Sequence, residues 1–262
     1  MPRNLEQITR RPVGQARPTP LLFIHGAWHA AWCWEKFLPY FAEQGYECHA
    51  LSLRGHGASD SQKILRWASA ADYVADVERI AASLPTPPVI IGHALGGYVA
   101  QLYLEQHSPP AAVLLAPVPV TGTLDFMAGY AARYPGPFLK MVFTSNTMAL
   151  FEDPAIVHAM LFSPNLPAED LKSYAARLQP ESLRVGLESM FLRMPRPRPG
   201  TPMLVLAGAN DQIFSVDEMS ETAHAWQAEL DVLPDMAHDM MLDTHWQGAA
   251  ERVAAWLSGR GL

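Results

Sequence analysis

Val89-Ile90-Ile91-Gly92-His93-Ala94-Leu95-Gly96-Gly97-Tyr98 decides the fold. An apolar, β-branched run stops at a glycine-rich corner and turns at once into a segment, Tyr98 to Gln106, with the spacing of an amphipathic helix. Strand, tight turn and helix in immediate succession push one side chain out over the end of a sheet, and small residues on both sides make the turn possible. The pattern is G-x-S-x-G. Gly92-His93-Ala94-Leu95-Gly96 meets it everywhere except at the centre, where alanine replaces the hydroxyl.

Outward from this corner, apolar runs alternate with helical spacing. Upstream, Pro20 to Ile24 reads as a strand buried on both faces, ending in His25-Gly26-Ala27-Trp28. Trp34, Phe37, Leu38 and Phe41 recur at helical intervals before Gly45, and Tyr46 to Leu53 is a second strand running into the tight loop Arg54 to Asp60. Ser69 can cap a helix through Tyr73, Val77, Ile80 and Leu84. Downstream come a strand at Ala111 to Ala116, another at Pro202 to Ala207 ending in Gly208-Ala209-Asn210-Asp211, and a helix from Ser215 to Glu229. A last strand at Leu230 to Leu233, a loop holding His238 and a helix from Thr244 to Leu257 complete the chain, and everything before Leu21 reads as irregular. This alternation predicts an α/β fold, a mainly parallel, doubly wound sheet.

Between Pro117 and Pro199 the alternation stops. Methionines 127, 141, 148, 160, 190 and 194 mix with phenylalanines 126, 138, 143, 151, 162 and 191 and many prolines. The division expected is a core of residues 1–118 and 200–262 and a mostly helical cap of residues 119–199. Flexible methionine beside aromatic rings suits an apolar pocket, with Trp28, Trp32, Met127, Phe143 and Met160 as candidate lining.

With 262 residues, 49% of them hydrophobic, the chain can bury one large core. A net charge of −7 argues against a nucleic-acid partner, and the arginine-rich stretches at Arg3 to Arg17 and Arg193 to Arg198 read as solvated loops. Two cysteines, Cys33 and Cys48, make no disulfide framework, and no secretory signal or membrane span is visible, so the expected location is cytoplasmic. Ten histidines lack acidic or cysteine neighbours at ligand spacing, so neither metal nor other cofactor is expected.

In a parallel sheet, ligands gather beyond the carboxyl ends of the strands, where Ala27, Ala94, Asp211 and His238 all fall. Serine becomes nucleophilic when an imidazole takes its proton and a carboxylate orients that imidazole. His238 suits the base and Asp211 the acid, preferred over Asp235, Asp239 and Asp243 because it directly follows a buried strand. The backbone N–H groups of Leu95 and Ala27 suit the two oxyanion donors. His25 and His56 read as braces of glycine turns and His93 as the variable position of the corner.

From His25-Gly26 through Arg54-Gly55-His56-Gly57 and the corner to Asp211 and His238, the chain resembles the α/β-hydrolase superfamily. The stretch His25 to Trp32 is similar to the branch holding plant methyl-ester hydrolases and hydroxynitrile lyases. The lyases imply a lysine after the catalytic histidine, where this chain has Asp239. The resemblance implies serine rather than aspartate at position 94, because Leu95-Gly96-Gly97 follows it. Ala94 is therefore read as an engineered Ser→Ala exchange that holds a substrate unhydrolysed, in preference to a natural protein without turnover.

The function expected is hydrolysis of a small carboxylic ester with an apolar or aromatic substrate, with oligomeric state left open. The alternatives are a ligand-binding protein on the same fold, such as a hormone receptor, or a cofactor-free oxygenase or carbon–carbon bond hydrolase.

Overall fold

A computed structural model describes residues 4–60, 62–198 and 200–262. Arg3, in the first basic stretch, and Pro199, at the predicted cap boundary, lie outside the described residues. The chain begins with a strand where an irregular start is expected: β1 (Gln7–Arg10) pairs antiparallel with β3 (Cys48–Leu51), after β2 (Leu21–Ile24). An edge strand has one neighbour and partial cover, so Gln-Ile-Thr-Arg forms it without the apolar run that marks an inner strand. Arg17 is likewise no solvated loop residue, since its guanidinium bonds the Leu262 carbonyl and Ser258 Oγ and lies over the Tyr46 ring.

The remaining strands are β4 (Val89–His93), β5 (Ala112–Leu115), β6 (Met203–Gly208) and β7 (Glu229–Leu233). The sheet order is β1-β3-β2-β4-β5-β6-β7, parallel throughout except for β1. β2 to β6 are buried along their whole length, and the mainly apolar runs of β2, β4, β5 and β6 suit strands covered on both faces, while β3, Cys-His-Ala-Leu, is buried with less apolar content of its own. β7 is largely uncovered, as an edge can be.

Helices cover the faces. They are α1 (Phe37–Glu43), α2 (Ala70–Ser83), α3 (Ala94–Leu104), α4 (Leu124–Arg133), α5 (Pro135–Thr144), α6 (Pro154–Leu161), α7 (Ala168–Ala175), α8 (Leu183–Leu187), α9 (Val216–Trp226) and α10 (Trp246–Ser258). α2 starts where Ser69 and Asp72 form a reciprocal capping box, and Ser215 with Glu218 starts α9 in the same way. Helices α4 to α8 all fall between β5 and β6, where no strand occurs among the described residues.

Beside the strand ends, Arg54 is fixed by Asp76, with Nε to Oδ2 at 2.9 Å and Nη2 to Oδ1 at 2.7 Å. Asp76 also accepts the Arg54 N–H at 2.9 Å, so one buried carboxylate holds both the side chain and the backbone of the loop. Asp76→Ala leaves the guanidinium with only the part-exposed Asp72 as a carboxylate partner, and chemical denaturation is expected to show a loss of about 3 kcal/mol, the lower end of the usual cost of breaking a buried pair from one side.

Candidate active site

The turn from β4 into α3 puts Ala94 at φ +45, a left-handed conformation that costs an L-residue on the order of 1 kcal/mol. Close packing holds it there. A Cβ on Gly96 would lie 2.2 Å from the Ile24 carbonyl and one on Gly92 would lie 2.5 Å from the Gly96 carbonyl, so only glycines allow the turn to seat against β2. The Ala94 carbonyl accepts from the Val118 N–H at 3.0 Å. α3 begins at Ala94 itself and is buried on every side, unlike the amphipathic helix expected from Tyr98, because it lies against the sheet, α2 and the inserted segment. Leu95, in its first turn, carries one of the N–H groups that a helix leaves without an intrahelical partner.

His238, in the loop after β7, has Nδ1 2.8 Å from Asp211 Oδ2. Asp211 Oδ1 accepts from the N–H groups of Ile213 and Phe214, at 2.7 and 3.1 Å, which fixes the carboxylate. Of the rival acids, Asp243 is taken by the Ser163 hydroxyl and the Ala237 N–H, and Asp239 faces His29. Burial pulls the His238 ring down, yet the charge and hydrogen bond of Asp211, with Asp239 adding, hold it above the ordinary histidine range.

A cavity of about 390 Å³ opens over these groups. Ala27, Trp28, Ala94, Leu95, Met127 and His238 all line it, with Asp211 behind His238. The remaining lining is chiefly apolar and comes from the inserted helices, including Phe126, Phe138, Met141 and Met190. Three expected lining residues stand elsewhere. Phe143 is 82% exposed on the outer side of α5, whereas Met141 of the same helix is buried and turned inward. Trp32 lies beside the Tyr174 ring with the Arg177 guanidinium 4.0 Å from its centre. Met160 lines a second cavity with Phe126, Tyr130 and Phe214, on the other side of Asp211. Apolar residues on every face of these helices hide from sequence which face turns inward.

His93 does more than fill a variable position. Its Nε2 donates to the His238 carbonyl at 3.0 Å, pinning the His238 loop to the corner, and burial with the neighbouring His238 lowers the ring to about 3, which keeps it neutral. Ligand atoms of His93, His238 and Asp239 come within 4.8 Å of one another. His93 Nε2 and His238 Nδ1 are engaged in hydrogen bonds, whereas His93 Nδ1 has no hydrogen-bond partner among the described residues. No spacing in sequence signals this convergence, because His93 and His238 meet only through the sheet.

A model described as the alpha/beta hydrolase family matches residues 21–256. The chain belongs to the alpha/beta hydrolase family. Methylesterase 2 of Arabidopsis thaliana is 29% identical over 94 residues, which is 35% of this chain and 36% of that protein, so the chain spans about a third of that relative's length. "Probable esterase PIR7A" of Oryza sativa subsp. indica is 30% identical over 197 residues, 69% of this chain and 66% of that protein. Among solved structures, a monoacylglycerol lipase from Paleococcus ferrophilus has a TM-score of 0.74 at 17% identity, covering 98% of this chain and 99% of that one. An esterase from Exiguobacterium antarcticum has a TM-score of 0.73 at 16% identity, covering 97% and 95%. At such identities the likeness to the structures is one of fold. Among the described residues no helix is long and apolar enough to cross a membrane.

Asp211→Asn removes the charge that lifts His238, so the NMR titration midpoint of that ring is expected to fall by one unit or more. A raised imidazole stabilises the fold fully below its unfolded value of about 6.5 and loses that contribution as pH rises through the folded midpoint. The stability difference between the parent chain and Asp211→Asn should therefore be larger at pH 5 than at pH 9.

Proposed function

We propose that this is the site of a carboxylic ester hydrolase from which the nucleophilic oxygen is missing. The observation that carries the reading is the 2.8 Å contact between His238 Nδ1 and Asp211 Oδ2, at the wall of an apolar cavity that Ala94 enters from a left-handed corner. A histidine with Nδ1 bound to a carboxylate presents Nε2 as a base toward the cavity. With a hydroxyl at position 94, the oxygen would attack the ester carbonyl while Nε2 takes its proton. The Leu95 and Ala27 N–H groups would receive the developing oxyanion, and the histidinium would return the proton to the departing alcohol. Water, deprotonated by the same ring, would then cleave the acyl-enzyme and restore the free hydroxyl.

In this reading Ala94 is a Ser→Ala exchange, and the chain as it stands binds an ester without forming the acyl intermediate. The esterase relatives and the glycines at positions 92, 96 and 97 support serine as the missing residue. The cavity's chiefly apolar lining, with Trp28, Met127 and Met190 in it, supports an apolar or aromatic substrate. No group of the proposed reaction requires a cofactor.

Restoring the oxygen is the test. Ala94→Ser is expected to raise hydrolysis of short p-nitrophenyl esters by several orders of magnitude, toward the roughly millionfold factor that a lone nucleophile contributes in such a triad, with a stoichiometric burst of p-nitrophenol. Turnover no faster than that of the Ala94 chain, with no burst, contradicts the ester-hydrolase reading.

A further inference from the structure

Behind the dyad lies a second buried pair that the proposed acyl transfer leaves without a role. Asp239 follows His238 in the chain and is fully enclosed, and His29, only 2% exposed, places Nε2 3.0 Å from Asp239 Oδ2 as an ion-pair contact. The other ring nitrogen of His29, Nδ1, donates to the Ala27 carbonyl at 2.8 Å. Both nitrogens of His29 therefore face acceptors.

The backbone of Asp239 is fixed as well. The Asp239 N–H donates to the Leu161 carbonyl at the end of α6 at 2.9 Å, and the Asp239 carbonyl accepts from the N–H groups of Leu242 and Asp243. Neither carboxylate oxygen has a well-aligned hydrogen-bond donor among the described residues, so compensation comes from surrounding imidazoles. Burial acts to raise Asp239, but the facing imidazoles, His29 foremost, outweigh it and keep the group below the ordinary carboxylate range.

The turn on the far side of His29 needs such a hold. Trp28 sits at φ +63, a left-handed conformation that a tryptophan keeps only where its surroundings impose it. The Trp28 carbonyl accepts from the Gln179 N–H at 2.9 Å, and the Ala27 carbonyl is fixed by His29. The peptide N–H of Ala27 is thus aimed by a turn whose two following carbonyls are both tied down.

We propose that His29 and Asp239 are positioning residues, an ion pair that sets the base-bearing loop and the oxyanion-donating turn in register with each other. The assignment rests on the ester-hydrolase reading for its catalytic meaning, since only acyl transfer needs His238 and the Ala27 N–H at a fixed separation. Removing either partner frees the turn. The two removals act on His238 in opposite ways, because one takes the anion from beside it and the other takes away an imidazole that faces this anion, leaving more of the anion's pull to His238. The charged or titratable groups facing His238 are Asp211 from the loop after β6, Asp239 from its own loop and His93 from the end of β4, with His29 behind His93.

The experiment uses the chain as it stands, with Asp239→Asn and His29→Gln, following the His238 ring by NMR titration and amide exchange at residues 27–29. Asp239→Asn is expected to lower the His238 midpoint and His29→Gln to raise it, each by half a unit or more, while exchange at 27–29 speeds at least tenfold in both. Midpoints that stay put or move in the same direction, or unchanged exchange at the turn, overturn the pairing. If Asp239→Asn fails to fold, His29→Gln decides alone: a raised midpoint with faster exchange supports the pair, and any other result overturns it. In an Ala94→Ser background, His29→Gln is expected to cut kcat at least tenfold with KM within twofold; a loss confined to KM overturns the positioning role. Inactivity of Ala94→Ser by itself counts against the ester reading, and the titration and exchange results still decide whether the pair exists.

Discussion

Everything at this site depends on one strained residue, Ala94 at φ +45, held by the contact of Gly96 against the carbonyl of Ile24. That contact lets α3 start at the very end of β4 without a connecting loop. The Cβ of residue 94 then stands at the floor of the cavity, and the first N–H groups of α3 open beside it. A glycine at 96 without the left-handed turn would leave the helix misaligned. The turn without the glycine would drive a methyl group into β2. The two conditions are met together in a fully buried segment, where neighbouring strands supply the packing that offsets the backbone cost.

Around that corner, charge is distributed among buried groups that would each be costly alone. Asp211 is satisfied by two N–H groups and the His238 ring. His93 stays neutral because burial and the nearby His238 disfavour its cation, which leaves it able to donate to the His238 carbonyl without adding charge. Asp239 is surrounded by imidazoles instead of backbone donors. The His238 loop is therefore fixed from three directions, by Asp211 through the ring, by His93 through the backbone and by the Leu161 carbonyl through the next residue. Such a loop restricts where Nε2 can point, and restriction of that kind is what proton transfer at a set distance requires.

Much of this was legible in the sequence because it is local. An unbroken apolar run followed by glycine announces an inner strand and its end, and it points to the residues just beyond such ends, Ala27, Ala94 and Asp211, which the structure brings together with His238 around one cavity. What stayed hidden depends on distant partners. β1 is an edge strand specified by the backbone of β3 more than by its own side chains. Phe143 and Met141 are two residues apart in one apolar helix, and only tertiary packing decides that the first faces solvent and the second the cavity. The roles of His93, His29 and Asp239 arise from contacts across the sheet ends, and ring nitrogens carry no mark in sequence of the carbonyl or carboxylate they will meet.

In the proposed reading the site lacks one oxygen atom and is otherwise arranged for acyl transfer. The most direct test of that reading is intact-mass analysis after exposure to an alkyl fluorophosphonate, which reacts with an activated hydroxyl irrespective of the natural ester. The Ala94→Ser protein is expected to gain a single phosphonyl group mapped to position 94. The Ala94 chain should gain none, and Ala94→Ser combined with His238→Ala should react at least a thousandfold more slowly. No adduct at position 94, or labelling equally fast without His238, would contradict the account.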